Sequence, residues 1–220
     1  MGTGVASGPD RWHSVGRSLA TSHGVHRPSA FSALLAESMS DCAGQVVVDA
    51  GCGAGLVAIA ALAAGAEHVV AQDYDRNCLI DTAANVDAVL GEGARRRLSL
   101  WEADWRQLAA VRADVLAVNP PQRPTTLLSD VDGDVLHLHQ GAGLDGLDAL
   151  RMILGHARTR RVRSTAAALL GLRECHSELS GNAWHPPTVV AKADLALDPA
   201  WRRLRENLQD TVEVWEFSRQ

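Results

Sequence analysis

Residues 46–55 combine three valines, an acid and three alternating glycines in one short stretch. A continuous β-branched run such as residues 46–48 is typical of a strand buried on both faces, as in a parallel sheet. Gly51, Gly53 and Gly55 then permit positive φ angles and let a ligand approach the main chain. The stretch therefore predicts a strand, a turn and a helix, with a ligand at the carboxyl end of the strand.

The rest of the chain alternates between strand-like and helix-like segments. Strands are predicted at residues 46–48, 67–72, 97–101, 114–118, 166–170, 189–195 and 212–217. Helices are predicted at residues 29–39, 56–64, 75–90, 144–157 and 199–208. Such alternation indicates an α/β fold with a Rossmann-like, doubly wound sheet. We expect seven strands, mostly parallel, with an antiparallel C-terminal strand.

Length and composition suit one globular domain. The chain has 220 residues, of which 46% are hydrophobic and 21% charged. Residues 1–14 are rich in glycine and serine and predict a flexible N-terminal arm, so residues 15–220 form the single expected domain. The net charge of −5 argues against a large nucleic-acid interface, which usually shows a basic excess.

Targeting and metal signals are missing from the sequence. No segment resembles a signal peptide, and no apolar run approaches the roughly 20 residues that span a bilayer. The four cysteines form no Cys-x-x-Cys pair, so neither a metal site nor a redox motif is predicted. We expect a reduced, cytoplasmic protein that contacts no membrane. The sequence leaves the oligomeric state open.

The glycine spacing separates two classes of nucleoside-bearing cofactor. Because position 56 is leucine, the pattern Asp-x-Gly-x-Gly-x-Gly lacks the third glycine of the dinucleotide fingerprint. S-adenosylmethionine needs the same close main-chain approach but carries no pyrophosphate. Asp49 lies at the strand end, and Asp73 ends the next strand, where an acid can accept both ribose hydroxyls. Asp75 competes with Asp73 for this role, but it fits a helix cap better.

Asp104 and Trp105 follow the third predicted strand and are candidates for the adenine end of the cofactor. A carboxylate can accept the adenine amino group while an aromatic ring covers the base. The alternative for Trp105 is ordinary packing in the core.

A second motif, Asn119-Pro120-Pro121-Gln122, leaves the fourth predicted strand. The side-chain oxygen of Asn119 and the carbonyl of Pro120 both accept hydrogen bonds, and two prolines restrict the turn. Two acceptors can hold the protons of an NH2 group and direct its lone pair at a methyl donor. Asn119 and Pro120 are therefore the predicted catalytic groups, and Pro121 and Gln122 are predicted to contact the substrate.

These motifs together resemble those of class I S-adenosylmethionine-dependent methyltransferases. The likeness is to the group with an Asn-Pro-Pro-aromatic motif, which includes HemK-like protein glutamine methyltransferases and their N6-adenine relatives. It extends over residues 24–157 and includes residues 24–36 and 141–151. The resemblance implies cofactor roles for the aspartates at 49, 73 and 104 and for the three glycines, and an acceptor role for Asn119.

The sequence departs from that group at position 122, where glutamine replaces the aromatic residue. A glutamine cannot stack on a base or an amide, but it can hydrogen-bond a polar acceptor. We therefore expect N-methylation of a small-molecule amine or amide. The first alternative is a macromolecular acceptor, either RNA or a ribosomal or translation protein, for which the basic run at residues 158–163 is the relevant feature. The second is a module that binds a nucleotide without catalysis, or a dehydrogenase.

Histidines offer no clear general base. Imidazoles that could serve as one lie at five positions: His23, His26, His137, His139 and His185. His137 and His139 share a face on a strand, but a third metal ligand at a fitting distance is not evident.

Overall fold

A computed structural model of the chain describes residues 9–130, 141–181, 183–195 and 211–220. Seven strands lie in one sheet, in the order β3-β2-β1-β4-β5-β7-β6. Their bounds are β1 Val46–Ala50, β2 His68–Asp73, β3 Leu98–Glu102, β4 Val115–Val118, β5 Arg161–Ala167, β6 Thr188–Asp194 and β7 Thr211–Ser218. The predicted Rossmann-like α/β architecture is confirmed.

Strand directions agree with the predicted mixture. β1 pairs with β2, β2 with β3 and β4 with β5 in parallel. β7 runs antiparallel to both β5 and β6. All four residues of β4 are buried, as expected for a parallel strand that is covered on both faces.

Helices connect the strands. The α-helices in the described residues are α1 Pro9–Ser18, α2 Ala30–Glu37, α3 Leu56–Ala63, α4 Arg76–Leu90, α5 Glu92–Arg95, α6 Asp148–His156 and α7 Leu172–Ser180. Short 3-10 turns lie at Ser38–Asp41, Trp105–Ala110, Thr125–Asp130 and Ala168–Leu170. The helix predicted at residues 199–208 lies outside the described residues.

Contacts within the chain divide it into two compact units, Met1–Ala103 and Asp104–Gln220. The first unit contains β1 to β3 and the second contains β4 to β7. The division thus follows the two halves of a doubly wound sheet, each built from strands and their crossover helices. The sequence predicts one domain over residues 15–220 and gives no signal for this division.

The expected N-terminal arm is partly helical. Residues 1–8 lie outside the described residues, but α1 occupies residues 9–18 where the sequence predicts an arm up to residue 14. Trp12 is buried, which ties the helix to the first unit. A Cβ at Gly16 would lie 3.1 Å from Pro28 and 3.3 Å from Leu56, so the glycine allows α1 to pack closely. The glycine- and serine-rich composition of residues 1–14 gives no indication of this packing.

The sequence pattern misplaces the fifth strand. It is predicted at residues 166–170, yet β5 begins at Arg161, and residues 168–170 form a 3-10 turn. The charged start of β5 is compatible with a buried strand because Glu216 of β7 lies opposite Arg163 in the register. The Glu216 carboxylate accepts from Arg163 at 2.7 Å and from Arg161 at 3.2 Å.

Loss of the buried guanidinium should destabilise the protein. Arg163→Met keeps most of the side-chain volume but leaves the Glu216 carboxylate with one partner fewer inside the unit. We expect the free energy of unfolding in urea to fall by about 2 to 3 kcal/mol. The control is Arg160→Met, because the Arg160 side chain is 85% exposed and that of Arg163 only 4%. Its effect should stay within about 0.5 kcal/mol, and equal losses in the two variants would contradict the assigned role of the pair.

Candidate functional site

The loop between β1 and α3 is fastened to the end of β2 by main-chain donors. The N–H groups of Gly51 and Cys52 both donate to the carbonyl oxygen of Gln72, at 2.8 and 2.9 Å. The N–H of Gly53 donates to Oδ2 of Asp73 at 3.1 Å. The three glycines have φ angles of 74°, 52° and 85°, which favour glycine over other residues. The predicted turn is therefore present.

Gln72 connects this loop with the chain that follows β3. Its side chain is buried, its Oε1 accepts from the N–H of Gly51 at 3.3 Å, and its Nε2 donates to the carbonyl of Ala103. The N–H of Ala103 donates in turn to the carbonyl of Asp73 at 3.0 Å. One buried amide thus secures two of the segments that meet at the carboxyl ends of β1 and β3.

Asp49 lies inside β1 and is buried. Its Oδ2 accepts from the N–H of Ala58 at 2.9 Å, in the first turn of α3. Burial, assisted by the charge of Asp73, raises the pKa of the Asp49 carboxyl to about 7, although the hydrogen bond from Ala58 opposes this rise. Asp49 is thus a group that orders the start of α3 and holds its negative charge weakly.

Asp73 ends β2, where the sequence predicts it. Its Oδ1 accepts from the N–H of Asp75 at 3.0 Å, in addition to the bond that its Oδ2 receives from Gly53. Burial raises its pKa, and these two backbone donors oppose the rise. Asp75 caps α4 by accepting from the N–H of Asn77 at 2.8 Å, as the sequence predicts. The ribose contact of Asp73 stays a prediction.

Helix α4 holds the glycine loop from the other side. The hydroxyl of Thr82 donates to the carbonyl of Gly53 at 3.0 Å. A Cβ at Gly55 would lie 2.9 Å from two atoms of the Thr82 side chain, so only glycine fits there without movement. Asn85 donates from Nδ2 to the carbonyls of Ala54 and Ala20, at 3.0 and 2.9 Å.

The sequence interpretation missed these α4 residues and Gln72. A signal exists, because Thr82 and Asn85 are polar residues inside the stripe formed by Cys78, Leu79 and Val86 on the buried face of α4. Buried polar side chains are nearly always hydrogen-bonded, so their positions indicate main-chain partners. Their identity, however, depends on the tertiary fold.

The second unit contains the other predicted residues. Asp104 is exposed and caps the 3-10 turn that follows it, with its Oδ1 accepting from the N–H of Arg106 at 2.8 Å. Its Oδ2 also pairs with the guanidinium of Arg106 at 3.2 Å. Trp105 is partly buried in that turn, which packs against α6. The adenine-binding roles of Asp104 and Trp105 stay predictions.

Asn119 follows β4 directly, as predicted. Its Oδ1 accepts from the hydroxyl of Thr165 in β5 at 2.6 Å. Pro120 is buried and Pro121 is partly buried, and both peptide bonds before them are trans. The catalytic roles of Asn119 and Pro120 and the substrate contact of Pro121 also stay predictions.

Gln122 is buried and engaged with β5. Its Oε1 accepts from the N–H of Ala167 at 2.8 Å, and its Nε2 donates to Oγ1 of Thr165 at 3.3 Å. A Cβ at Gly146 would lie 2.5 Å from the carbonyl oxygen of Gln122, so the main chain of the following loop closes over this turn. Both ends of the amide have protein partners, and the predicted contact between Gln122 and a substrate stays untested.

The structure describes three of the five candidate general bases. His23, His26 and His185 are exposed, whereas His137 and His139 lie outside the described residues. No group of three His, Cys, Asp or Glu side chains able to hold a metal occurs in the part of the chain that the structure describes. None of the described helices has the length and apolar character needed to cross a membrane.

Comparison with known proteins finds similarity to methyltransferases. Residues 19–119 match the family model of ribosomal protein L11 methyltransferase (PrmA). The ribosomal protein L11 methyltransferase of Actinobacillus succinogenes is 35% identical over 107 residues, which are 49% of this chain and 35% of that relative. The chain thus spans about a third of the length of this curated relative.

Solved structures extend the likeness to nearly the whole chain. A Pyrococcus horikoshii protein described as a candidate RNA methyltransferase superposes with a TM-score of 0.62 at 20% identity, covering 96% of this chain and 98% of that one. One chain of the E. cuniculi Mtq2–Trm112 complex, which is responsible for methylation of the translation termination factor eRF1, superposes with a TM-score of 0.61 at 16% identity, covering 90% of this chain and 99% of that one. The chain has the fold of class I S-adenosylmethionine-dependent methyltransferases.

The first unit of this methyltransferase fold suits S-adenosylmethionine. A Cβ at Gly53 would meet no atom closer than 3.9 Å, so the loop leaves open space above its main chain. Each carboxylate oxygen of Asp73 has one backbone donor and can accept a ribose hydroxyl as well. The negative charge that Asp49 can carry is opposite in sign to the sulfonium and ammonium groups of the cofactor. The predicted cofactor therefore fits the described residues.

Gly55→Ala should weaken cofactor binding, because its Cβ would displace either Thr82 or the loop. The control is Gly44→Ala, since Gly44 also has a positive φ, of 69°, but its Cβ would meet nothing within 4 Å. Both variants carry about 1 kcal/mol of backbone strain. In titration calorimetry with S-adenosylhomocysteine, we expect the Kd to rise at least about tenfold, or ~1.4 kcal/mol, for Gly55→Ala alone. An unchanged Kd in Gly55→Ala would show that the loop tolerates the displacement.

Asp49 should make stability depend on pH. Because its folded-state pKa lies near 7 and its ordinary value is 3.8, its contribution is fully present below pH 4 and lost as the pH rises through 7. Asp49→Asn retains an oxygen for the Ala58 N–H but cannot ionise. Between pH 4 and 8, denaturant unfolding should show the wild type losing on the order of 3 kcal/mol relative to this variant. Parallel stability profiles would exclude a titrating Asp49.

Proposed function

We propose that this protein transfers a methyl group from S-adenosylmethionine to an amine of a protein of the translation apparatus. The match to ribosomal protein L11 methyltransferases carries this proposal, because the matched residues run from before the glycine loop to Asn119. The fold is shared both with the complex that methylates a termination factor and with the protein described as a candidate RNA methyltransferase, so the choice of a protein acceptor rests on the family match. These findings favour a macromolecule over the small-molecule acceptor that the sequence predicts. A cytoplasmic location accords with this acceptor and belongs to the same proposal.

The proposed roles follow the chemistry of the side chains. When bound, S-adenosylmethionine supplies a methyl group on an electrophilic sulfonium. Asp73 would hold the ribose, the glycine loop would admit the methionine part, and Asp104 with Trp105 would hold adenine. These assignments rest on the positions of the residues at strand ends and on the bonds described above.

Asn119 and the Pro120 carbonyl would orient the acceptor amine. An amide oxygen can accept two hydrogen bonds, so the bond from Thr165 is compatible with a second one from an amine N–H. The same oxygens would stabilise the positive charge that develops on nitrogen. Orientation and charge stabilisation together suffice for an amine that is already nucleophilic.

A protein acceptor agrees better with the charge distribution than RNA does. In the basic run at residues 158–163, the Arg163 guanidinium is buried and bonds Glu216, as does Arg161. Arg158 donates to the carbonyl of Ala157 at 3.0 Å, at the end of α6. Three of the four arginines are thus paired with a carboxylate within the second unit, since Arg160 also lies 3.7 Å from Asp114. With a net charge of −5, the chain lacks the basic excess of a typical nucleic-acid binder.

A small-molecule amine is the second candidate acceptor. The observation that favours it is Gln122, since this position has no aromatic ring to stack on a base or a planar amide. Membership of the Asn-Pro-Pro-aromatic group rests on the motif alone and is likewise a proposal. A module that binds a nucleotide without catalysis is the remaining alternative.

Asn119→Ala should abolish methyl transfer and spare cofactor binding. We expect kcat to fall by at least about 100-fold, as when one preorganised polar group at a reacting centre is removed. Transfer is measured from labelled S-adenosylmethionine into purified ribosomal protein L11 of Actinobacillus succinogenes and into protein, RNA and small-molecule fractions of an extract. Cofactor affinity is measured separately by calorimetry.

Asn77→Ala is the control, since Asn77 is an exposed asparagine at the start of α4. Label in protein that disappears only with Asn119→Ala supports the proposal. Label confined to RNA or to small molecules replaces the acceptor class, while preferential binding of NAD would indicate a dehydrogenase. Equal loss of transfer and cofactor affinity in Asn119→Ala would contradict the separation of roles.

A further inference from the structure

The side chains of Gln122 and Thr165 link the β5 main chain to Asn119. The N–H of Ala167 donates to Oε1 of Gln122 at 2.8 Å, Nε2 of Gln122 donates to Oγ1 of Thr165 at 3.3 Å, and Oγ1 of Thr165 donates to Oδ1 of Asn119 at 2.6 Å. All three bonds lie within the second unit. They form one relay, which we call the Asn119 relay.

The direction of the relay follows from its first donor. A main-chain N–H can only donate, so the Ala167 N–H must face the oxygen of the Gln122 amide and leaves the amide nitrogen facing Thr165. An amide nitrogen only donates, so the Thr165 hydroxyl accepts there and has its own proton to give to Asn119. The relay therefore presents a donor to the Asn119 side chain, which fixes the oxygen of that amide on the β5 side.

The location of the relay makes it rigid. Gln122 and Thr165 are both buried, and buried hydrogen bonds have no water to replace them. The parallel register pairs Val118 with Ser164, so Asn119 and Thr165 follow at adjacent positions of β4 and β5. The close approach of Gly146 to the Gln122 carbonyl restricts movement of the turn. One rotamer of Asn119 is thereby selected.

We propose that Thr165 and Gln122 are positioning residues that set the orientation of the Asn119 amide toward the acceptor. This inference rests on the proposed catalytic role of Asn119. It also accounts for glutamine at position 122, which acts on the acceptor through Asn119 instead of contacting it. Through the Asn119 relay, the main chain of β5 determines the orientation of the Asn119 amide.

The test removes the Thr165 hydroxyl with little change in volume. Thr165→Val should lower kcat for methyl transfer to ribosomal protein L11 by roughly 10- to 100-fold, as expected for a misplaced catalytic group. The KM for S-adenosylmethionine should stay within about twofold of the wild-type value. Thr165→Ser keeps the hydroxyl and should restore most of the rate. The expected split between kcat and KM separates positioning from loss of the cofactor site.

Thr159→Val is the matched control, because Thr159 is also buried and its hydroxyl donates to the carbonyl of Arg161 at 3.1 Å. This variant should lose similar stability but retain its rate. Unchanged kcat in Thr165→Val, or an equal fall in Thr159→Val, would overturn the inference.

A spectroscopic measurement separates this inference from the proposed function. The side-chain NH2 resonances of Asn119 can be assigned by their loss in Asn119→Asp. In wild-type and Thr159→Val protein they should show the heteronuclear NOE of a rigid group, and in Thr165→Val that of a mobile one. If wild-type protein methylates no acceptor, the proposed function fails while this result still decides the relay. A rigid Asn119 amide in Thr165→Val would refute it.

Discussion

At the carboxyl ends of the strands, main-chain groups no longer pair with a neighbouring strand. Buried side chains form their hydrogen bonds instead. The glycine loop has no regular secondary structure, yet Gln72 and Asp73 on β2 and Thr82 on α4 bond its donors and acceptors. A buried peptide group without a partner costs several kcal/mol, so these bonds make the open loop possible. The cofactor surface thus depends on Gln72 and Thr82, which are not expected to contact the cofactor, as well as on Asp73, which is.

In the second unit, a neighbouring buried residue positions a side chain in the same way. Asn119 directly follows β4 and lies outside its regular strand pairing. Its side-chain amide accepts a hydrogen bond from Thr165 instead. In both units the residue proposed to contact a ligand is placed by a neighbour from an adjacent element. The electrostatic character differs, because Asp49 and Asp73 are buried carboxyls with raised pKa values, whereas the Asn119 relay is neutral. A neutral relay can keep one geometry across the pH range in which Asp49 titrates.

The sequence predicts the fold class, most strand positions and the site motifs, because these depend on local patterns of apolar residues, glycines and caps. It predicts the start of α4 from Asp75 and its end from Gly91. It misplaces β5, because the charges of Arg161 and Arg163 are not typical of a buried strand. These charges are compatible with the strand because Glu216 lies opposite Arg163 in the register. It misassigns part of α1 to an arm, and it does not find Thr82, Asn85 or Thr165. Those roles require knowing which distant main-chain atom each side chain reaches.

The contact between Gly55 and Thr82 has a consequence for how these positions can vary. A larger residue at 55 requires a smaller one at 82, but a smaller residue at 82 gives up the bond to the Gly53 carbonyl. Each single change therefore carries a cost that depends on the other, and the two effects should not add. In a saturation library, positions 55 and 82 should show epistasis although 26 residues separate them in the chain.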